Sequence, residues 1–329
     1  QFENDFSEKI NTEKVLTVSN GTTALHLAYL ALGLGEGDEV IVPGFGFVAP
    51  VNMVKAVGAT PVYADIDEAT WCIDPKSIEK CITPKTKAIV PVHTYGNVCD
   101  MDPIMALAKR HNLYVIEDTA EALFSRYNGK MAGTIGDIGC FSFQATKTIT
   151  MGEGGAVAIK NTAIIPKAEQ LKSHGMKIGK QYWHETVAYN FRLTNMQAAM
   201  GCAQLESADK IIALKHKVFG LYKRELEKIE GILLQKFDKK VDPTVWAIAI
   251  RVDESKFVAN RDGIRTSLKE RGIETRPGFY DCATLPLYGA KEIPVSQKIS
   301  KSVLSLPSSP DLSEKEILYI CNELKKLKV

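Results

Sequence analysis

The chain has 329 residues, of which 45% are hydrophobic and 24% are charged, a composition typical of a soluble globular protein of about two domains. Its 41 lysines and arginines nearly balance 39 aspartates and glutamates, so the formal charge is only +2; no field exists to hold nucleic acid or an anionic membrane. The seven cysteines form no Cys-x-x-Cys pair, which argues against a disulfide framework or a zinc site and favours a cytoplasmic protein.

The beginning of the chain is polar and acidic, unlike a signal peptide, and no apolar run approaches the roughly 18 residues that a membrane span requires. The first residue is Gln1 rather than Met, and helical character is present from the start. We therefore expect the natural N-terminus to lie upstream of Gln1.

Short β-branched runs alternate with helical stretches over the first half of the chain. The predicted strands cover residues 15–18, 39–43, 61–65, 87–92, 114–118, 138–143 and 156–159. The predicted helices cover residues 24–32 and 48–57, a short stretch from Pro75, and a stretch that Asp102 and Pro103 cap and that ends near His111. This alternation predicts an α/β fold with a mostly parallel seven-stranded sheet flanked by helices.

The pattern changes at Thr194, where apolar residues recur at helical spacing until about Ile229. This predicts one long helix that links two domains. After it we expect a strand at 245–252, a helix at 261–271, an irregular stretch at 276–310 and a closing helix at 313–327. The predicted division is a large domain of residues 1–205, followed by the linking helix and a small α+β domain within residues 206–329.

The segment 19–23, Ser-Asn-Gly-Thr-Thr, lies where a predicted strand passes into a helix. Glycine and hydroxyl residues at a helix start can hold a phosphate, because the backbone N–H groups there are free. Ordinary helix capping explains the same residues, so both interpretations stay open.

Lys147 follows a predicted strand and precedes the glycine-rich segment 152–155. A lysine that is partly desolvated in a cleft can attack an aldehyde, whereas most lysines are simply solvated. Glu117 and Asp118 end another strand at the edge where parallel sheets bind ligands. A metal pair there lacks a further ligand at suitable spacing; a single carboxylate could instead keep a heterocyclic nitrogen protonated.

Further motifs occur in unbroken order with these, at residues 37–43, 58–62, 117–122, 136–137, 141–143, 147–150, 152–155 and 189–192. Together they resemble the sugar aminotransferases of the DegT/DnrJ/EryC1/StrS family, which are fold type I enzymes that use pyridoxal 5′-phosphate (PLP). The resemblance covers the whole chain. Segments 182–195 and 274–286 are most similar to the perosamine synthase-like branch, which aminates C4 of a nucleotide-linked 4-keto-6-deoxy sugar.

The resemblance implies two catalytic residues. Lys147 takes the place of the lysine that forms the Schiff base with PLP and moves the proton during amino transfer. Relatives that run a 3-dehydration carry histidine there. Asp118 matches the carboxylate that pairs with the pyridinium nitrogen.

The same resemblance implies the remaining contacts. Phe47 would stack on the cofactor ring and Glu121 would lie near its phenolic oxygen. The phosphate would be held by Gly21, Thr22, Ser142 and, across the interface of a homodimer with shared active sites, Asn190 of the partner subunit. The residues proposed to contact substrate are Tyr182, His184 and Arg276.

The implied activity is a ping-pong transfer, in which L-glutamate leaves as 2-oxoglutarate and the pyridoxamine 5′-phosphate form aminates a keto sugar. Segments 144–146 and 278–283 depart from the family pattern, so a small phosphorylated ketone such as dihydroxyacetone phosphate is an alternative acceptor. A non-catalytic PLP-binding regulatory protein is an alternative of another class.

Overall fold

The computed structural model describes residues 1–288 and 292–329. Its helices are α1 (Phe2–Ile10), α2 (Gly21–Leu32), α3 (Ala49–Ala56), α4 (Pro75–Cys81), α5 (Met101–His111), α6 (Ile165–Lys172), α7 (Asn195–Glu206), α8 (Ala208–Leu226), α9 (Arg261–Glu270), α10 (Pro294–Ser302) and α11 (Glu314–Lys325). Its strands are β1 (Val15–Val18), β2 (Glu39–Pro43), β3 (Thr60–Ala64), β4 (Thr86–Ile89), β5 (Tyr114–Asp118), β6 (Arg126–Tyr127), β7 (Lys130–Met131), β8 (Ile138–Ser142), β9 (Gly155–Ile159), β10 (Ile232–Leu234), β11 (Val241–Asp242), β12 (Ile248–Val252), β13 (Arg276–Pro277) and β14 (Val303–Leu306).

The main sheet contains the seven strands that the sequence predicts, in the order β1-β9-β8-β5-β4-β2-β3. Neighbouring strands run parallel except at β9, which is antiparallel to both β1 and β8. The prediction of a mostly parallel sheet flanked by helices is therefore confirmed.

The centre of this sheet is buried on both faces. Every residue of β8 and β9 is buried, which agrees with their largely apolar sequences. Helix α2 packs across these two strands and buries Leu25, Leu27 and Tyr29 in the same hydrophobic cluster as Cys140 and Val157. The helix is apolar nearly all round because strands and other helices surround it.

Two further sheets lie outside this core. The four-stranded sheet β10-β12-β14-β13 is antiparallel, and α8, α9 and α11 share a hydrophobic cluster with it. The small sheet β11-β6-β7 pairs Val241 with Tyr127 and so connects distant parts of the chain. The predicted boundary at residues 205 and 206 stays a prediction.

The predicted linking helix is wrong in one respect. Residues 194–229 form two helices, α7 and α8, and Ser207 interrupts them with φ −92° and ψ 0°. Thr194 begins α7 with a capping box, in which its hydroxyl and the Gln197 side chain each bond the other residue's backbone N–H. The apolar periodicity continues across the break, which is why the sequence pattern does not reveal it.

Two other predictions need correction. Asp100, rather than Asp102, is the N-cap residue of α5, and its side chain makes no capping hydrogen bond. The stretch 276–310, predicted to be irregular, contains β13, α10 and β14; its residues 289–291 lie outside the described residues. The short strands β6, β7, β10 and β11 are too brief to show a period in the sequence.

Among the described residues, no helix combines the length and the apolar character that a membrane crossing requires.

Phe6 anchors α1 to the edge of the main sheet. It is fully buried, and its ring meets Phe141 and Phe143 edge-on at centroid distances of 5.2 and 5.3 Å. We expect Phe6→Ala to lower the free energy of unfolding by about 3–5 kcal/mol, because it opens a cavity in this aromatic cluster. Denaturant unfolding measures the loss. Leu233→Ala, at a half-exposed position, is the control, and equal effects of the two changes would contradict the prediction.

Candidate active site

A cavity of about 1350 Å³ is lined by the last residues of β5 and β8, Asp118 and Ser142. Because β5 and β8 are parallel neighbours, their carboxyl ends meet at one edge of the sheet, where α/β folds commonly bind ligands. Eight of the residues singled out from the sequence line this cavity, namely Gly21, Thr22, Phe47, Asp118, Glu121, Ser142, Lys147 and Arg276.

The start of α2 forms one wall of the cavity. Asn20 caps the helix, and its side chain accepts a hydrogen bond from the Thr23 N–H at 2.9 Å. The N–H groups of Gly21 and Thr22 have no intrahelical acceptor, as in the first turn of any helix. A Cβ at Gly21 would stand 2.8 Å from the Ser142 Cβ. The two interpretations of this segment are therefore compatible, since the Asn20 cap leaves the N–H groups of Gly21 and Thr22 available to an anion.

Asp118 is held rigidly at the end of β5. Its backbone N–H donates to Pro91 O at 2.9 Å, and its carbonyl accepts from the His93 N–H at 3.0 Å. One carboxylate oxygen accepts from the Ala120 N–H at 3.0 Å. Burial raises the pKa of this carboxyl, against the Ala120 hydrogen bond and the charge of Lys147. The cavity would therefore keep Asp118 ionised most readily with a further cation beside it.

Glu117 points to the other face of the sheet, as alternation along a strand requires. Its carboxylate accepts from His93 Nε2 at 2.9 Å and from the backbone N–H groups of Gly133, Ile135 and Gly136. The Cys99 N–H donates to His93 Nδ1, so the network assigns the proton to Nε2. Burial acts to raise the pKa of Glu117, but these hydrogen bonds hold it below its usual value. The neighbouring acids thus form no metal pair; Glu117 anchors the backbone.

Lys147 lies in the loop after β8, where its backbone N–H donates to Gln144 O at 2.8 Å. Its Nζ lies 4.0 Å from the centroid of the Trp246 ring, within the range of a cation–π contact. Burial lowers the pKa of Lys147, and the negative charges of Glu121 and Asp118 oppose this effect. The lysine is thus the partly desolvated residue that nucleophilic chemistry requires.

Glu121 lies opposite Lys147 in the same cavity. Its Oε2 accepts a hydrogen bond from the Tyr95 N–H at 2.9 Å. Burial raises the pKa of Glu121 to about 7, although the charge of Lys147 and the Tyr95 N–H act to lower it. This carboxyl can consequently carry or release a proton near neutral pH.

Sequence reasoning missed an aromatic wall. Tyr95 stacks on Phe279 at 5.2 Å and on Trp246 at 6.3 Å, and Phe47 packs against Phe279 at 6.1 Å. The Trp246 Nε1–H donates to Thr146 O at 2.7 Å and so touches the Lys147 loop. No local motif marks Tyr95, Trp246 and Phe279, because they come from three distant parts of the chain.

Three predicted site residues do not line the cavity. Tyr182 is 80% exposed, and His184 is exposed with its Nδ1 2.8 Å from His174 O. Asn190 is exposed as well, and its Oδ1 accepts from Arg192 Nε at 2.9 Å. All of them lie on the exposed segment between α6 and α7.

The cavity fits PLP chemically. The free N–H groups at the start of α2, with the Ser142 hydroxyl close by, suit a phosphate. Asp118 suits a protonated ring nitrogen, because that cation would offset the raised pKa of its buried carboxyl. Lys147 supplies an amine for the aldehyde.

Comparison with known proteins agrees with this fit. The sequence model of the DegT/DnrJ/EryC1/StrS aminotransferase family matches residues 1–325. A GDP-perosamine synthase of Escherichia coli O157:H7 is 44% identical over 328 residues, covering 99% of this chain and 89% of that protein. A GDP-perosamine synthase of Vibrio cholerae is 43% identical over 329 residues, with the same two coverages.

Solved structures show the same fold. The structure of S. venezuelae DesV in complex with a ketimine intermediate is 34% identical and superposes with a TM-score of 0.92, over 99% of this chain and 87% of that one. The PLP form of Spr1654 from Streptococcus pneumoniae is 28% identical with a TM-score of 0.92, over 99% of this chain and 90% of that one. A PMP form of the same protein matches equally well.

The buried Glu121 makes the stability of the cofactor-free protein depend on pH. The carboxyl titrates near pH 4.5 when unfolded and near pH 7 when folded, so between these values the folded state binds more protons. Stability falls as the pH rises through this window. We expect the free energy of unfolding of the wild type to fall by up to about 3 kcal/mol between pH 4.5 and pH 8, and Glu121→Gln to remove this fall. Denaturant unfolding at the two pH values measures it. The exposed Glu36→Gln is the control, and a difference between wild type and E121Q that does not change with pH would refute the prediction.

Proposed function

Because the chain belongs to the DegT/DnrJ/EryC1/StrS aminotransferase family, we propose that it moves an amino group from L-glutamate to C4 of a nucleotide-linked 4-keto-6-deoxy sugar. It is a PLP-dependent sugar aminotransferase. The observation that carries the finer proposal is the cavity that Lys147 lines together with the buried carboxyls of Asp118 and Glu121, in a chain 44% identical to a GDP-perosamine synthase.

When bound, PLP supplies an aldehyde that takes up amino groups and a ring that withdraws electrons from the reacting carbon. In this proposal the N–H groups of Gly21 and Thr22 and the Ser142 hydroxyl bind the phosphate. Asp118 holds the ring nitrogen in its protonated state, and Phe47 at the mouth of the cavity packs on the ring. Glu121 lines the same cavity as Lys147 and would lie near the phenolic oxygen.

Lys147 does the proton transfer. A lysine with a lowered pKa has a larger neutral fraction near neutral pH, and only the neutral amine can accept a proton from Cα of the amino donor. In the first half-reaction Lys147 would pass this proton to carbon C4′ of the cofactor, and in the second it would take a proton from C4′ and give it to C4 of the acceptor. Trp246 holds the lysine in place through the contact between the indole ring and Nζ.

The size of the cavity bears on the acceptor. Its volume of about 1350 Å³ exceeds the roughly 300–1000 Å³ of common small-molecule sites. Cofactor and nucleotide sugar together would use this space, whereas cofactor and a three-carbon phosphate would leave much of it filled with water. Arg276 lines the cavity and offers a cation for the sugar nucleotide, while Tyr182 and His184 lie outside it on the exposed segment.

That segment supports a homodimer. Helix α7 buries only Gly201, and Met196 is 82% exposed. Val187 is 91% exposed and Tyr182 is 80% exposed on the segment that precedes this helix, and exposed apolar side chains of this kind are typical of a surface that a partner covers. We infer that a second copy of the chain covers this surface, so that Asn190 reaches the phosphate in the partner subunit. Within the described part of the chain no disulfide bond is formed, in keeping with the reducing conditions of the cytoplasm.

The first test concerns Lys147. The wild-type holoenzyme is expected to lose its visible absorbance band on addition of L-glutamate. We expect Lys147→Ala to show no such change and to reduce turnover by roughly a thousandfold or more, because nucleophile and base are both removed. Lys109→Ala, at an exposed position of α5, should behave as wild type. Normal turnover by K147A would overturn the assignment.

The second test concerns the acceptor. After the glutamate step, GDP-, dTDP- and UDP-linked 4-keto-6-deoxy sugars are supplied in turn, with dihydroxyacetone phosphate as the rival, and the amino product is identified by mass spectrometry and NMR. Amination at C4 of one of the nucleotide sugars is expected. Faster turnover of dihydroxyacetone phosphate than of any nucleotide sugar would sink the proposal.

The third test concerns the dimer. We expect Met196→Glu to shift the protein towards monomers, because it places a charge in the apolar surface, and to weaken PLP binding because Asn190 no longer reaches the partner's site. Light scattering after size exclusion and a PLP titration measure the two effects. Leu233→Glu on β10 is the control. A dimeric M196E protein with normal cofactor affinity would contradict this interface.

A further inference from the structure

Lys215 occupies a core position of α8. The other buried residues of this helix are Ala208, Val218, Tyr222 and Leu226, which together with Lys215 form a stripe at helical spacing. Only 6% of Lys215 is exposed. Lysine is almost never fully buried without a partner, since desolvation of the ammonium is costly.

The ammonium has little compensation from the protein. Its one hydrogen bond is to the Trp246 carbonyl oxygen at 3.1 Å. Among the residues the structure describes, no carboxylate forms an ion pair with it. Burial lowers the pKa of Lys215 to about 8, so the side chain is still largely charged at neutral pH. Of three N–H donors, two therefore have no acceptor within residues 1–288 and 292–329.

Lys215 lines the same cavity as Lys147. Trp246 lies between the two lysines, with its ring against Nζ of Lys147 and its carbonyl accepting from Nζ of Lys215. Ser305 and Ser309 also line the cavity and bring hydroxyl groups to its wall. A buried cation with free donors, at the wall of a reaction cavity, is arranged to receive an anion.

We propose that Lys215 binds an anionic oxygen group of a substrate, either the carboxylate of the amino donor or a phosphate of the nucleotide sugar. The proposal rests on the proposed function and assigns a residue to its substrate binding. The bound anion supplies acceptors for the two free donors. It also offsets the desolvation cost of the buried ammonium, which the single hydrogen bond to the Trp246 carbonyl does not.

The competing explanation is that Lys215 only holds Trp246 in place. Loss of that hydrogen bond would disturb Trp246 and, through it, Lys147 and the cofactor. Loss of an anion-binding residue would instead weaken one substrate and leave the cofactor unchanged. These outcomes separate the two roles.

The test uses holoenzyme carrying Lys215→Met, which keeps the length of the side chain and removes its charge. Single-turnover measurements give the apparent Kd of L-glutamate with the PLP form and of the nucleotide-linked keto sugar with the pyridoxamine form. The PLP spectrum and the PLP affinity are recorded alongside. Lys217→Met, two residues away on the exposed side of α8, is the matched control, and Lys215→Arg tests rescue by a retained charge.

We expect K215M to raise the Kd of one substrate about tenfold or more, with PLP spectrum and affinity as in wild type, K217M unaffected and K215R close to wild type. A rise for glutamate identifies a carboxylate, and a rise for the nucleotide sugar identifies a phosphate. Unchanged Kd values for both substrates overturn the proposal, and so does a change confined to the cofactor spectrum or affinity.

A second measurement needs no variant. Wild-type holoenzyme is labelled with a lysine-acetylating reagent in the presence of 2-oxoglutarate or of GDP, and mass spectrometry compares Lys215 with Lys217. Protection of Lys215 alone by either ligand supports the proposal and names the anion; no protection by either refutes it. Because neither this labelling nor the glutamate step needs the acceptor sugar, failure of the sugar assignment and failure of the Lys215 assignment can be told apart.

Discussion

The charge of Lys147 is subject to two opposed forces, and the site depends on their balance. Removal of the ammonium from water favours the neutral amine, while the buried carboxyls of Asp118 and Glu121 favour the ammonium. The same desolvation acts on the carboxyls and raises the pKa of each. The protonation states of the three groups therefore depend on one another. A cationic ring would stabilise the ionised carboxyl of Asp118, and the start of α2 would hold an anionic phosphate. Local groups can thus bind both charged parts of the cofactor although the chain as a whole is almost neutral.

The main sheet holds Asp118 in place through the end of β5. Asp118 ends β5 beside β8, and the next side chain along the strand, Glu117, is fixed on the opposite face by His93 and three backbone N–H groups. Buried hydrogen bonds of this kind are costly to break. These bonds therefore resist a shift of the strand end. In the proposed function Asp118 would contact the cofactor, while Glu117 fixes the backbone next to it.

The C-terminal part of the chain closes the cavity from the other side. Trp246 packs on Lys147, bonds the loop that carries it and accepts from Lys215 of α8. Trp246, in the segment before β12, thus contacts Lys147 directly and connects Lys215 of α8 to it. The proposed anion at Lys215 would thus bind next to the residue that positions Lys147, so that substrate binding and the placement of the base are physically linked.

The sequence by itself determined the main sheet, the loop of Lys147, the acids at 117 and 118 and the helix start at Gly21, because hydrophobic period, strand alternation and helix-start chemistry are local properties of the chain. The sequence did not predict the break between α7 and α8 at Ser207, because the apolar periodicity runs through both helices. Only the tertiary structure decided that Tyr95, Trp246 and Lys215 would meet around Lys147, and that Glu121 would titrate near neutral pH. The physical reason is that desolvation and contact between distant segments depend on how the elements pack, and no short stretch of sequence carries that information.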